Sequence, residues 1–131
     1  MKKKEKRKKN IIREYVEAIE CFDIALEIEP RFANAWFNKA QALGELGEYA
    51  EEVNCYDEIL EIDPEDAVVW YNKGVALGNL GRYKEEVECY DEAIELAAQD
   101  LDSWNNKGYA LHFLGKYDDA IRCFSKILEF N

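Results

Sequence analysis

Residues 67–100 read AVVWYNKGVALGNLGRYKEEVECYDEAIELAAQD, and the chain states this pattern three times. Trp70 stands 34 residues after Trp36 and 34 before Trp104. The same period relates Asn38/Asn72/Asn106, Lys39/Lys73/Lys107, Leu43/Leu77/Leu111 and Gly47/Gly81/Gly115. Tyr15/Tyr49/Tyr83/Tyr117, Cys21/Cys55/Cys89/Cys123 and Phe22/Tyr56/Tyr90/Phe124 keep it too, and extend it one half-unit toward the N-terminus. A fixed period of this length is the mark of a repeat architecture in which each unit buries its apolar face on its neighbours. The register is a half repeat at 11–32, then repeats at 33–66, 67–100 and 101–131, with residues 1–10 as a separate tail.

Inside a unit the apolar residues recur at helical spacing, as in Trp36, Ala40, Leu43 and again in Val53, Tyr56, Ile59, Leu60. No segment alternates with the period of two that a strand requires. Gly47 falls where the first helix must stop, and Asp63-Pro64-Glu65-Asp66 ends the second helix and opens the next. Helices are therefore predicted at about 11–28, 33–46, 49–61, 67–80, 83–97, 101–114 and 117–130. Gly74 and Gly108, with Ala40 in the first full unit, mark close approach between paired helices.

The ordered set Trp36, Ala40, Leu43, Gly47, Tyr49, Tyr56, Ile59, Pro64 and its later copies resembles the tetratricopeptide repeat. The resemblance implies an all-α fold: an α-α superhelix (TPR solenoid) of about seven helices in antiparallel pairs, with the first helix of each pair lining a concave groove. Glu52 and Glu86 depart from the pattern, since the family usually has alanine there. Ala98 replaces the proline of the second unit, which predicts a looser or longer corner before residue 101.

Composition removes most other function classes. With 17 basic and 28 acidic residues the net charge is −11, which opposes binding of the folded body to nucleic acid or an anionic membrane. No apolar run approaches a membrane span, and Ile11-Ile12 is followed at once by Arg13-Glu14, so no secretory h-region follows the basic start. The default location is cytoplasmic. The charge is divided, +6 in the first ten residues and −17 in the rest. Composition predicts a disordered, solvated arm for residues 1–10.

One histidine, two serines and no threonine leave no nucleophilic constellation, and without strands there is no phosphate-binding loop, so the chain reads as non-enzymatic with no cofactor. The four cysteines recur one per unit, too far apart for a zinc site or a disulfide and suited to small buried positions. Trp36, Trp70, Trp104, Tyr49, Tyr83 and Tyr117 are expected in the core. Lys39 is expected either to pair with Glu52, as Lys73 with Glu86, or to lay its stem on the interface with its ammonium in water. Lys107 would lack such a partner, because it faces Ala120.

Function then falls to the groove. The resemblance places Asn34, Phe37, Gln41, Glu45, Val68, Tyr71, Val75, Asn79, Asp102, Asn105, Tyr109, His112 and Phe113 along it. Asn38, Asn72 and Asn106 occupy a slot where groove-binding members grip a ligand's main chain. Chaperone-tail capture is disfavoured, because Phe37, Asp102 and Asn106 stand where its carboxylate clamp needs basic residues. The expected partner is another protein, a peptide or helix segment, neutral or basic under the acidic body. A second reading is a self-assembling element or a piece of a longer array. Val16, Ile19 and Phe22 at one end, and Ile121, Phe124 and Leu128 at the other, lack a covering helix, which suggests a two-fold homodimer through an end.

Overall fold

Apolar-periodic stretches rich in helix formers are cut at fixed intervals by glycine, and the computed structural model, which describes residues 2–130, follows that punctuation. Met1 and Asn131, the outer limits predicted for the tail and the third repeat, lie outside the described residues. The helices are α1 (Lys2–Ile28), α2 (Ala33–Glu45), α3 (Tyr49–Ile62), α4 (Ala67–Asn79), α5 (Tyr83–Leu96), α6 (Leu101–Phe113) and α7 (Tyr117–Glu129). No strand occurs among the described residues. Two compact units contain them, one with α1–α3 up to Ile62 and one with α4–α7 from Asp63. In the first, α2 packs on both α1 and α3. In the second, α5 packs on α4 and α6, α6 on α7, and α4 touches α6.

The turn glycines do what the sequence requires of them. Gly47, Gly81 and Gly115 have φ of +77°, +75° and +77°, a region that side-chain-bearing residues avoid. Around Gly47 the Gly47 amide donates to the Gly44 carbonyl at 3.0 Å and the Glu48 amide to the Leu43 carbonyl at 2.9 Å, the paired bonds that close a helix C-terminus. At the other end Asp66 accepts from the Val69 amide at 3.2 Å, and Asp100 from the Ser103 amide at 3.4 Å and hydroxyl at 2.6 Å.

The corner before α6 is neither looser nor longer than the others, contrary to expectation. Residues 97–100 separate α5 from α6 just as residues 29–32 separate α1 from α2. The reason is a bond that does not depend on proline: Trp104 Nε1 donates to the Ala98 carbonyl at 2.9 Å, as Trp36 does to Pro30 and Trp70 to Pro64, both at 2.8 Å. The indole clips the corner through a backbone acceptor that any residue supplies.

That role also corrects the burial expected for the repeat's aromatic residues. The three tryptophans, Tyr49 and Tyr83 are half-buried, and Tyr117 is 59% exposed. The enclosed aromatics are Tyr56 and Tyr90, at 0% and 1%. Each donates its hydroxyl to a glutamate one turn earlier on its own helix, Tyr56 to Glu52 and Tyr90 to Glu86, both at 2.7 Å. The two glutamates are nine-tenths buried. They fit because a glycine faces each: a Cβ on Gly44 would lie 2.9 Å from Glu52 Oε1, and one on Gly78 2.6 Å from Glu86 Oε2. The third repeat replaces the whole set, with His112 for the glycine, Ala120 for the glutamate and Phe124 for the tyrosine.

The close approach at Gly74 and Gly108 is of ring to helix rather than backbone to backbone. An added Cβ would meet Tyr90 Cε1 at 2.5 Å and Phe124 Cζ at 2.6 Å. Of the two arrangements open to Lys39, the pair with Glu52 does not form, because Glu52 is engaged by Tyr56. Lys39 instead reaches Asp23 on α1 at 2.7 Å, and Lys107, which has Ala120 where the other units have glutamate, reaches Asp91 on α5 at 2.6 Å. Their ammonium groups also lie 5.5 and 5.4 Å from the Trp36 and Trp104 ring centroids. Glu86 likewise bonds Tyr90, and Lys73 lies 5.4 Å over Trp70.

Residues 2–10 are not a disordered arm but the first turns of α1. Lys, Arg and Glu are good helix formers, and no glycine or proline separates them from the amphipathic segment that follows. Cys55, Cys89 and Cys123 are buried, while Cys21 is exposed on a side of α1 that no helix among the described residues covers. Among the residues expected to be uncovered, Val16, Ile121 and Leu128 are 42%, 61% and 72% exposed, whereas Ile19, Phe22 and Phe124 are half-buried.

Candidate functional site

Helical spacing decides which side chains α2, α4 and α6 can offer. Small residues at Ala35, Ala40 and Ala42, at Gly74 and Ala76, and at Ser103, Gly108 and Ala110 are buried against the paired helices. The positions between them face outward. On α2, Phe37 is half-buried with its ring 6.3 Å from that of Tyr56, Asn38 is exposed, and Gln41 donates Nε2 to the Tyr56 hydroxyl at 2.9 Å. In this unit the amide of Gln41 completes the Glu52–Tyr56 pair.

The second unit uses the same positions differently. Val75 replaces Gln41 in the repeat, so Tyr90 receives no amide from its own A helix. Asn106 comes across from α6 and donates Nδ2 to the Tyr71 hydroxyl at 3.1 Å, while the Tyr71 ring lies 5.9 Å from that of Tyr90. The result is a cavity of about 250 Å³ between α4, α5 and α6, lined by Val75, Gly78, Tyr83, Glu86, Tyr90, Asn106, Tyr109 and Phe113 among others. Tyr83 and Phe113 stack at its mouth with centroids 5.1 Å apart, and Tyr109 sits edge-on to Phe124 at 5.4 Å.

Of the residues singled out from the sequence, the structure brings Val75, Asn79, Asn106, Tyr109 and Phe113 to one cavity, with Tyr71 joined through Asn106. Asn72 and Asn105 are half-buried on α4 and α6 and do not line it. Phe37, Asn38 and Gln41 belong to the first unit. Sequence reasoning missed Tyr83, Glu86 and Tyr90, all from the B helix α5. The signal was present: a tyrosine in an apolar slot with a glutamate four residues earlier is a hydroxyl with an acceptor in reach.

Electrostatically this floor is acidic. Burial raises the Glu86 carboxyl above its ordinary value, partly offset by the Tyr90 hydroxyl, and burial likewise pushes the Tyr90 phenol upward. No lysine or arginine lines the cavity among the described residues. A larger hollow of about 460 Å³ lies between α5, α6 and α7, where Asp91, Lys107, Asp119, Arg122 and Lys126 give it mixed charge beside Trp104 and Cys123.

Profiles of the tetratricopeptide repeat match residues 33–66, 67–100 and 101–131. The chain belongs to the tetratricopeptide repeat family. No curated protein sequence matches the chain. Among solved structures, an RS-1 MamA double mutant is similar with 21% identity and a TM-score of 0.83, over 88% of this chain and 65% of that one. MamA from residue 41 to its end, from Desulfovibrio magneticus RS-1, gives 21% identity and a TM-score of 0.82, over 88% and 66%. Another crystal structure of MamA gives 18% and 0.84, over 95% and 71%. At these identities the likeness is one of fold. The tetratricopeptide repeat chain spans 65% and 66% of the first two.

Proposed function

We propose that this tetratricopeptide repeat chain is a non-enzymatic, cytoplasmic interaction module that binds a peptide or helix segment of a protein partner in the groove its A helices line. The cavity between α4, α5 and α6 carries this reading. It joins apolar and aromatic walls to the amide of Asn106, the combination that buries a ligand side chain while meeting its backbone. Asn72 and Asn105 extend the same face, and Phe37, Asn38 and Gln41 give the first unit contact residues of its own. The acidic body favours neutral or basic segments, and no helix among the described residues is long and apolar enough to cross a membrane.

The test is selection of binding peptides from a displayed random library, followed by titration against variants. Replacing Asn72 and Asn106 with alanine should weaken a selected peptide by roughly 5- to 150-fold, the value of one or two buried hydrogen bonds, with helical content unchanged. Unchanged affinity would show that these amides serve the fold alone. Exposed Val16 and Ile12 on α1 and Ile121 and Leu128 on α7 favour a second reading, self-association through an end. Light scattering across a concentration series separates the two, since a strict monomer refutes self-association.

A further inference from the structure

The cavity between α4, α5 and α6 has one feature that a generic peptide groove does not need: a carboxylate at its floor with no cation opposite. Glu86 is nine-tenths buried, and among the described residues its carboxylate accepts a hydrogen bond from Tyr90, at Oε2 and 2.7 Å. An ionised carboxylate can accept about four. The close face of Gly78 lets the group settle against α4, and Gly78 and Glu86 line the cavity together. The ion pairs of α5 and α6 lie elsewhere, Arg82 with Glu85 and Lys107 with Asp91.

Three aromatic residues line the cavity together with this carboxylate. Tyr83 and Phe113 are nearly parallel, at 21°, and Tyr109 is on the same helix as Phe113 one turn earlier. A buried anion behind π-faces is the environment that attracts a cation by charge and by the ring quadrupoles. Asn106 turns its amide nitrogen to the Tyr71 and Tyr90 hydroxyls, which leaves its carbonyl oxygen as a second acceptor. The volume of about 250 Å³ is several times the ~30 Å³ share of a water molecule, enough for a planar cationic head and part of its stem.

Resting on the proposed peptide-binding function, we infer that this cavity is the anchor subsite for an arginine side chain of the partner segment, with Glu86 as its counter-ion and Tyr83, Tyr109 and Phe113 as its aromatic walls. Arginine fits better than lysine. A guanidinium offers a fork of donors that matches a carboxylate, stacks on rings, and is more weakly hydrated than an ammonium, so moving it into a half-closed cavity costs less. The other repeats do not duplicate the subsite. In the first, Gln41 caps the Glu52–Tyr56 pair, and in the third, Ala120 and Phe124 remove both the anion and the hydroxyl.

The experiment uses the full chain, ¹⁵N-labelled, titrated with N-acetyl-arginine N-methylamide and with its citrulline counterpart, which has the same shape and no charge. The arginine probe should shift the amides of Val75, Gly78, Glu86 and Ala110 saturably, with a dissociation constant on the order of millimolar for so small a ligand. Citrulline should bind roughly ten- to a hundredfold more weakly, and Glu86→Gln should weaken the arginine probe by a similar factor. Glutamine keeps an acceptor for Tyr90, so the fold is retained. Phe113→Ala, at a side chain 64% exposed, is a second variant that should weaken binding without disturbing the core. Equal binding of citrulline, an unaffected Glu86→Gln, or shifts confined to other helices would overturn the inference. The probe requires no partner, so the two readings fail separately. An arginine-free selected peptide that fills this cavity refutes the subsite alone, and a bound arginine probe with no selectable peptide refutes the groove reading alone.

Discussion

Gly74→Ala sets two known effects against each other at a place where the structure says which should prevail. Alanine is the better helix former by ~1 kcal/mol. Its methyl, however, would stand 2.5 Å from Tyr90 Cε1, 2.9 Å from Cδ1 and 3.0 Å from Cζ. Carbon atoms prefer about 3.5–4.0 Å, so the ring must retreat by about 1 Å. It has nowhere to go. Tyr90 is 1% exposed, tied at its hydroxyl to Glu86 at 2.7 Å and flanked by Tyr71 at 5.9 Å. Overpacking of this kind costs ~1–3 kcal/mol, and a tethered ring belongs in the upper half, leaving a net loss of ~1–2 kcal/mol. For a chain of this length that lowers the melting midpoint by roughly 3–10 °C, measured by circular dichroism. Gly108→Ala is the internal comparison. It presses on Phe124 at 2.6 Å, but that ring is only half-buried and has no hydroxyl tether, so it can swing outward and the loss should be smaller. Combining Gly74→Ala with Tyr90→Leu should turn the alanine favourable relative to Tyr90→Leu alone. A Gly74→Ala protein as stable as the parent, or losing no more than Gly108→Ala, would refute the reasoning.

Three further outcomes are expected. Burial raises the carboxyls of Glu52 and Glu86 from an ordinary 4.5, so their contribution to stability is fully present below that value and is lost as pH rises through the raised folded value; the Glu52→Gln/Glu86→Gln protein should therefore lose less stability than the parent between about pH 4 and 7 in urea titrations, and parallel curves would contradict this. Among the thiols, Cys21 is exposed whereas burial pushes Cys55 up to about 11, so a disulfide reagent at mildly alkaline pH should modify Cys21 first and Cys55 only on unfolding; loss of the fast phase in Cys21→Ser checks the assignment. Deleting residues 2–10, all exposed on α1, should leave the melting midpoint within ~2 °C, and a larger fall would mean that the basic turns are packed against the body.

How much of this the sequence disclosed follows from what a period can carry. Glycine, tryptophan and leucine recurring at 34 residues specify where helices begin, turn and pair, so the bounds of α2 to α7 come within one residue of those read from the pattern. The period does not say what its recurring residues touch, nor anything of positions that break it, and the site joins both kinds: Glu86, which repeats Glu52, and Val75 where the first unit has Gln41. Hydrophobicity ranks Trp36 above Tyr56 as a core residue, yet the indole needs its N–H at the Pro30 carbonyl near the surface, while the Tyr56 hydroxyl carries its acceptor with it on the same helix. For Lys39 the pattern leaves open a pair with Glu52 and a stem packed on the interface, and it shows neither Asp23 on the preceding helix nor the Trp36 ring under the ammonium. Composition likewise described residues 2–10 as charged and missed that nothing in them interrupts a helix.

The exchange of Gly78, Glu86 and Tyr90 for His112, Ala120 and Phe124 restricts the order in which one kind of repeat can become the other. A side chain placed at residue 78 while Glu86 remains collides with its carboxylate at 2.6–2.9 Å. Loss of the Tyr90 hydroxyl while Glu86 remains strands a buried anion without its donor, the more expensive half of a broken pair. Only the glutamate can leave first, since a phenol without its acceptor is the lesser fault and the vacated space then admits the imidazole. A lineage moving between the two forms must pass through that one intermediate, and a duplicated repeat that has not yet taken the first step is held where it is by its own core.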